Sequence, residues 1–308
     1  MYQIDEAMSL WQSKRLVEAV KVQSEILRQS RDFLRERGFI EILPVVISPI
    51  TDPLADYRVR GEIECYGLKY QITKSMIFHK QISLLSFPRI FSISPNVRIE
   101  SAERRTTGKH LIEFVQLDLE MRGASREDAM SLGEDLLTHV IRTVKAECAT
   151  ALAYFQRDLS IPKPPFERIS YEQAVKTYGP DYEDALSANA RGPAWLLDLP
   201  IEHREFYDRE APERPGVLID MDLIYPEGFG EALSGGEREY QIERIVKRIE
   251  RKGIDPKIYE IYLQFARKGL PPSAGFGIGI ERLTRYICGL RRIDETRLFA
   301  KLPGVLGL

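Results

Sequence analysis

An α+β fold built on a largely antiparallel sheet is what this sequence predicts, on three observations. Strand-like runs follow one another as hairpins, with amphipathic helices between the groups rather than after every strand. The stretch from Phe91 to Arg122 alternates at both ends: Ile90, Ser92 and Ser94 oppose Phe91 and Ile93, and the pattern resumes from Leu111 to Met121. A polar, basic loop, Ser101–Lys109, joins the two. Alternate glycines, Gly275, Gly277 and Gly279, lie inside an apolar strand-like segment further on.

Taken in order, residues 12–37 carry Leu16, Ala19, Val20, Ile26, Leu27, Phe33 and Leu34 at helical spacing and stop at Gly38, which predicts a long amphipathic helix with a glycine cap. Phe39–Ile47 reads as a strand with Pro44 inside it; proline cannot donate to a ladder, so the strand belongs at an edge or a chain–chain seam. Ile47–Asp56 is a proline-containing loop. Arg58–Thr73 reads as a hairpin turning at Tyr66-Gly67, and Thr73–Leu85 as a short helix bearing Lys80. Beyond the central hairpin, Ser125-x-x-Asp128 is a capping box that opens a helix running on to Phe155. Ser170-x-x-Gln173 caps a small helix, and Tyr178–Gly192 reads as irregular. Strands are predicted at Ala194–Leu199 and Leu218–Tyr225, helices at Arg238–Lys252 and Pro256–Lys268, then a strand at Ala274–Ile280 and a last helix at Glu281–Gly289.

The chain of 308 residues is long enough for a sizeable core, and residues 1–308 are expected to form one domain. Its 44 basic and 46 acidic residues give a formal charge of −2, so no global field draws in nucleic acid. Cys65, Cys148 and Cys288 are far apart and odd in number, which argues against a disulfide framework or a zinc site. Without a signal peptide or an apolar run of spanning length, a cytoplasmic setting is the expectation.

The polar load of the central hairpin is unusual. Arg98, Glu100, His110, Glu113, Gln116, Asp118 and Glu120 sit where a plain hairpin carries Val, Ile or Thr. Residues two apart share a face, so Phe114, Gln116, Asp118 and Glu120 point one way. A solvated face would explain one such strand; two with a basic loop between them suggest the floor of a site for an anionic ligand. Asp222 and Glu231 bracket a Pro-Glu-Gly turn with Ser234 behind them, a set able to hold Mg²⁺ together with phosphate oxygens and water, or simply two surface acids. Gly235-Gly236 followed by Arg238 offers close backbone approach and a guanidinium suited to a carboxylate. In Gly275-Phe-Gly-Ile-Gly-Ile-Glu281-Arg282 the glycines leave one strand face bare for something flat, although tight packing alone would use the same residues.

In order, a strand with a central proline, an RxE…H…EFxxxD hairpin, an acid–turn–acid–Gly-Gly-x-Arg segment and GxGxGxER resemble the class II aminoacyl-tRNA synthetases, and most of all the aspartyl/asparaginyl group. Phe39–Val46 matches motif 1, Arg98–Met121 motif 2 and Gly275–Leu283 motif 3. The resemblance implies an antiparallel sheet flanked by helices and an ATP site. In it Arg98 holds the α-phosphate, Glu100 meets the adenine amino group, Phe114 stacks on the base and His110 approaches the terminal phosphates. Gly277 and Gly279 belong to the nucleotide-binding strand, and Arg282 covers the adenine or reaches the γ-phosphate. Asp222 and Glu231, with Ser234, hold Mg²⁺, and Pro44 lies in a homodimer seam. Two departures stand out: a longer motif 2 loop, Ser101–Lys109, and Glu237 where the group often has Gln.

Lysine at the position of Lys80 goes with aspartate in related enzymes, so the resemblance implies an aspartate pocket formed by Lys80, Gln116, Asp118, Gly236 and Arg238. Nothing before Gln12 could form the OB barrel by which this group grips tRNA. The chain therefore most resembles the archaeal asparagine synthetases related to asparaginyl-tRNA synthetase, which implies synthesis of asparagine from aspartate, ammonia and ATP through a β-aspartyl adenylate, with tRNA not expected as a partner. Asp52, with Asp56 as its competitor, is the acid expected to handle ammonia. Transfer of an aspartyl group to tRNA or a protein is the alternative, and a non-catalytic regulatory paralogue a further one.

Overall fold

The computed structural model describes residues 4–54 and 56–308. Its strands are β1 (Ile40–Glu41), β2 (Ile47–Ser48), β3 (Glu62–Cys65), β4 (Leu68–Ile72), β5 (Arg89–Val97), β6 (Glu113–Arg122), β7 (Glu167–Ser170), β8 (Ala194–Leu197), β9 (Asp220–Tyr225), β10 (Gly230–Glu237) and β11 (Ser273–Gly279). Eight of them form one sheet in the order β1-β5-β6-β11-β10-β9-β8-β7, and β2-β4-β3 form a second. Inside the large sheet the pairings are antiparallel; only its two edges, β1 with β5 and β7 with β8, are parallel. The α+β expectation holds. β11 threads between β6 and β10 and so sets the hairpins β5–β6 and β9–β10 side by side.

Period-two alternation gives this sheet two different faces. Phe91, Leu117, Leu119, Leu233, Ala274, Phe276 and Ile278 belong to the main apolar core, together with helices Lys14–Glu36 and Arg126–Glu147. The second helix lies close on the sheet at Gly133, where a Cβ would come within 3.2 Å of Leu233. Along the same strands the intervening residues are Ser92, Ser94 and Asn96, then Gln116, Asp118 and Glu120, then Gly275, Gly277 and Gly279. A second apolar cluster containing Phe78, Phe206, Tyr207, Tyr259 and Tyr262 belongs to the helix Ile77–Ser83, the loop before β9 and the helices Ile242–Arg251 and Glu260–Gly269. Phe78 and Tyr262 meet there with ring centroids 4.7 Å apart.

Local chemistry explains the element ends. Ser13 caps the long helix by accepting from Leu16 N, and Gly38 leaves it at φ 77°. The Ser125/Asp128 capping box forms as read. Tyr66 and Gly67, at φ 56° and 75°, make the two-residue turn with both central residues left-handed that matches the twist of β3 and β4.

Several expectations are corrected. The proline-bearing strand is split: Ile40–Glu41 pairs with β5 and Ile47 begins β2 of the second sheet, with Pro44, which has no N–H to donate, in the unpaired stretch between them. The helix read as continuous to Phe155 is interrupted at Cys148 and resumes as Ala149–Tyr154. Residues read as irregular form a helix, Tyr182–Asn189, anchored by buried Leu186 and Ser187. Arg238 is not helical: β10 precedes it and the helix begins at Ile242. No helix among the described residues is long and apolar enough to cross a membrane.

Candidate active site

A cleft of about 440 Å³ opens on the polar face of the large sheet, and a smaller recess of about 50 Å³ adjoins it. Arg98, Gln116 and Glu231 line both, so the two spaces share a wall. The cleft is bordered by Asp52, Lys80, Asp118, Arg238, Ser234 and Gly277, among others. Glu100, His110, Phe114, Gly279 and Arg282 border the smaller recess. Most of the site residues read from sequence are thus brought together, divided between two compartments.

The floor of the cleft is a buried network of charge. Lys80 Nζ donates to Asp118 Oδ1 at 3.0 Å and lies 3.7 Å from Glu120, with the carbonyls of Phe276 and Leu119 at 3.4 and 3.5 Å. Asp118 also accepts from Ser94 at 2.6 Å, and Gln116 from Asn96 at 2.9 Å. Arg238 donates to Glu120 at 3.2 Å, Asp208 at 2.8 Å and Gly275 O at 2.9 Å. Burial opposes its charge, but Glu120 and Asp208 outweigh that and hold its pKa above the ordinary arginine value. The two cations do converge as expected, yet they are already matched by three carboxylates. Of the five N–H groups of Arg238, one on Nη1 is uncommitted among the described residues.

The glycines divide by function. A Cβ at Gly275 would stand 2.2 Å from Leu119 O, and one at Gly235 2.2 Å from Gly275 O, so both are required by strand packing. Gly277 leaves room for Gln116 and Asp118, which a Cβ would meet at 3.0 and 3.1 Å. Gly277 lies on the cleft side and Gly279 on the side of the small recess. Gly236, read as a substrate contact, is packed against Asp220 and Ile219; Gly235 borders the cleft in its place. Glu237, the departure from the family pattern, accepts from Arg126 N and from Arg209 outside the cleft lining.

In the small recess the Arg98 guanidinium lies 4.9 Å from the centre of the Phe114 ring, and Glu100 sits 3.4 Å from Arg104. The long loop folds as a 3₁₀ turn, Ala102–Thr107, ended by Gly108 at φ 66°. His110 lies 2.9 Å from Arg104 Nη1 through Nε2 and 2.7 Å from Thr107 Oγ1 through Nδ1. Arginine can only donate, so Nε2 accepts and Nδ1 carries the hydrogen. Burial, then the charges of Arg282 and Arg104, push its pKa below the usual histidine value, leaving a neutral ring at pH 7. The base of this loop is propped from far along the chain: Ile112 N donates to Lys301 O at 2.8 Å, and Arg297 pairs with both Glu281 and Glu113.

Asp222 and Ser234 face each other across β9 and β10, and Glu231 stands near the turn between these strands. Burial raises the carboxyl pKa of Asp222, Arg204 pulls it back and Glu231 pushes it up again. Glu183, on the helix missed in sequence, is raised to about 7 by burial and by Glu231 and Asp222. Asp222 Oδ1 is buried without a partner among the described residues. Hard oxygen donors with an unused buried lone pair fit a divalent cation completed by phosphate and water rather than an all-protein cage. No group of three or more ligating side chains alone could hold one among the described residues.

Asp52 and Asp56 part company. Asp52 is 2% exposed and borders the cleft, accepting from Ser75 at 2.6 Å and Tyr207 at 2.9 Å. Burial pushes its carboxyl up to about 6 against those donors. Asp56 is held by Arg58, which lowers it to about 2, and does not border the cleft. What sequence reading missed is the segment 202–208, which supplies Glu202, His203, Arg204, Tyr207 and Asp208 to the cleft wall. Its one signal was density: ionisable and aromatic residues crowd the stretch between two predicted strands.

A profile of the tRNA synthetases class II (D, K and N) matches residues 3–303. The chain belongs to this family. Two curated relatives, the asparagine–tRNA ligases of Pelotomaculum thermopropionicum and Thermococcus gammatolerans, are 30% and 28% identical over 96% of the chain, which spans 72% and 71% of their lengths. Among solved structures, asparaginyl-tRNA synthetase from Pyrococcus horikoshii complexed with asparaginyl-adenylate superposes with a TM-score of 0.88 at 26% identity, covering 96% of this chain and 70% of that one. The large antiparallel sheet flanked by helices is therefore the class II synthetase fold. The same relatives overturn two expectations. Free asparagine synthesis from aspartate and ammonia rested on the lack of a tRNA-gripping barrel, as did the exclusion of tRNA, whereas the relatives aligned over nearly the whole chain are tRNA ligases. With ammonia gone from the reaction, the ammonia-handling role of Asp52 and the β-aspartyl adenylate fall as well.

Proposed function

We propose that the chain uses ATP to activate an amino acid with a short carboxylate or carboxamide side chain, aspartate or asparagine, and passes the acyl group to tRNA. The observation that carries this is the shared wall: an amino-acid-sized cleft and a recess floored by an aromatic ring meet at Arg98. The α-carboxylate attacks the α-phosphorus, its P–O bond forms as the bond to pyrophosphate breaks, and an acyl adenylate results. Arg98, at the junction, stabilises the charge that develops on the phosphoryl oxygens. Phe114 and Glu100 receive the adenine, and the amino-acid side chain points toward Arg238, whose spare N–H donates to a carboxylate or an amide carbonyl alike. A ribose hydroxyl at the 3′ end of tRNA then attacks the acyl carbon and AMP leaves. Asp222 and Glu231, with Ser234, would hold Mg²⁺, which when bound supplies charge neutralisation of the polyphosphate. The two relatives that charge tRNA support this acceptor.

The test is ATP–pyrophosphate exchange with aspartate and with asparagine, followed by charging of unfractionated tRNA with each labelled amino acid. Exchange with one of the two and base-labile, acid-precipitable label from the same one are expected. Exchange with neither, and no label on tRNA, would sink the proposal.

A further inference from the structure

The two carboxylates best placed to hold a divalent cation are each already held by an arginine. Arg204 Nη2 lies 2.5 Å from Asp222 Oδ2 while its Nε donates to Asp220 at 3.0 Å. Arg282 Nη1 lies 3.0 Å from Glu231 Oε1. Both guanidinia border the joined spaces, Arg204 in the cleft and Arg282 in the small recess. Arg204 Nη2 and Asp222 Oδ1 are both buried without a hydrogen-bond partner among the described residues, although their groups touch.

We propose that Arg204 and Arg282 are resident counter-ions that a metal–nucleotide complex displaces: the polyphosphate takes the arginines, the cation takes Asp222 and Glu231, and neither newcomer binds well alone. The inference rests on the ATP reaction proposed above and adds Arg204 as a phosphate-binding residue. A divalent cation arriving by itself meets a guanidinium within contact of its ligand, and the arginine cannot leave without stranding Asp220 and Asp222 in a buried site. Polyphosphate arriving by itself draws off the arginines and strands the same carboxylates. Arriving together, they exchange partners so that Asp222 and Glu231 stay matched, the cation replacing the guanidinia there. The coupling is reciprocal, so the metal must strengthen nucleotide binding by the factor by which nucleotide strengthens metal binding.

The experiment titrates Mn²⁺ into the protein and follows the signal of the free ion by electron paramagnetic resonance, with and without a non-hydrolysable ATP analogue. Analogue affinity is measured separately with and without Mn²⁺. After the Mn²⁺ bound by the analogue alone in a protein-free control is subtracted, retention of Mn²⁺ by the protein should be roughly tenfold to a hundredfold tighter with the analogue present. In Arg204→Met, Asp222 is released: Mn²⁺ should bind the nucleotide-free protein, and the analogue should bind roughly thirtyfold more weakly. Equal Mn²⁺ affinity in wild type with and without the analogue would overturn the inference alone, as would a folded Arg204→Met protein with wild-type behaviour in both titrations. Wild-type protein that binds no analogue even with Mn²⁺ would overturn the proposed function too. If Arg204→Met does not fold, Arg282→Met, which frees Glu231, takes its place with the same expected pattern.

Discussion

Replacing Asp52 by asparagine should stabilise the protein, and more so as pH rises. The carboxyl is 2% exposed and its pKa stands at about 6, against 3.8 for an ordinary aspartate, because burial outweighs the donations from Ser75 and Tyr207. A folded-state pKa above the unfolded one means that the folded chain holds the proton more tightly. The resulting stability is complete below the unfolded value and is lost as pH rises through about 6. At about 1.4 kcal/mol per pH unit the full loss is about 3 kcal/mol, of which about 2 kcal/mol falls between about pH 4.5 and about pH 8. The carboxamide of the Asp52→Asn variant could still accept from Ser75 and Tyr207, but the Leu54 N–H that now donates to Oδ1 at 3.3 Å would lose its acceptor, a cost of about 1 kcal/mol that does not vary with pH. Urea melts of both proteins across this pH range give the difference directly. A gap that widens in favour of the variant by about 2 kcal/mol is the expected outcome. A gap that stays flat would show that Asp52 does not titrate in this window, and the burial argument would fail.

Other predictions follow from the same geometry. Lys80→Leu should lower stability by about 3–5 kcal/mol, because Asp118 and Glu120 lose a buried partner; a variant of wild-type stability in denaturant melts would contradict this. Gly275→Ala should give little folded protein, since its Cβ would stand 2.2 Å from Leu119 O, whereas Gly279→Ala meets its first neighbour at 3.6 Å and should fold normally; soluble yield and circular dichroism compare the two. The His110 ring should titrate below the ordinary histidine value of 6.5 in proton NMR, and Arg104→Ala should move it upward by removing a nearby positive charge.

Elements written into short-range chemistry were legible. The Tyr66-Gly67 turn, the Ser125 capping box and the Gly38 helix stop each need only a few neighbouring residues. The polar faces of β5 and β6 were legible for the same reason, since alternation is a local pattern. β10 was not, because GEALSGGE has little intrinsic strand preference and pairs only through its place between β9 and β11. Tyr182–Asn189 escaped because only Leu186 and Ser187 are buried, too few to show a helical stripe. In the site, the identity of charged residues was readable but their mutual neutralisation was not. That Lys80 meets Asp118, or that Arg204 meets Asp222, is decided by how separate strands and loops pack together, not by any local pattern.

The prop beneath the long loop has a consequence for the nascent chain. Glu113 meets Arg297 across 184 positions of sequence, and Ile112 meets Lys301 across a similar span. At about 5–20 residues per second, the ribosome takes roughly ten to forty seconds to deliver the second partner of each contact. The larger cleft waits for β11, and the base of the small recess waits longer still. A chain stalled before Arg297 would carry all of its strands yet lack the support beneath Ile112 and Glu113. Under the proposed reaction, ATP would have no finished place to bind until synthesis has passed that point, so nucleotide use would begin only when the fold is almost closed.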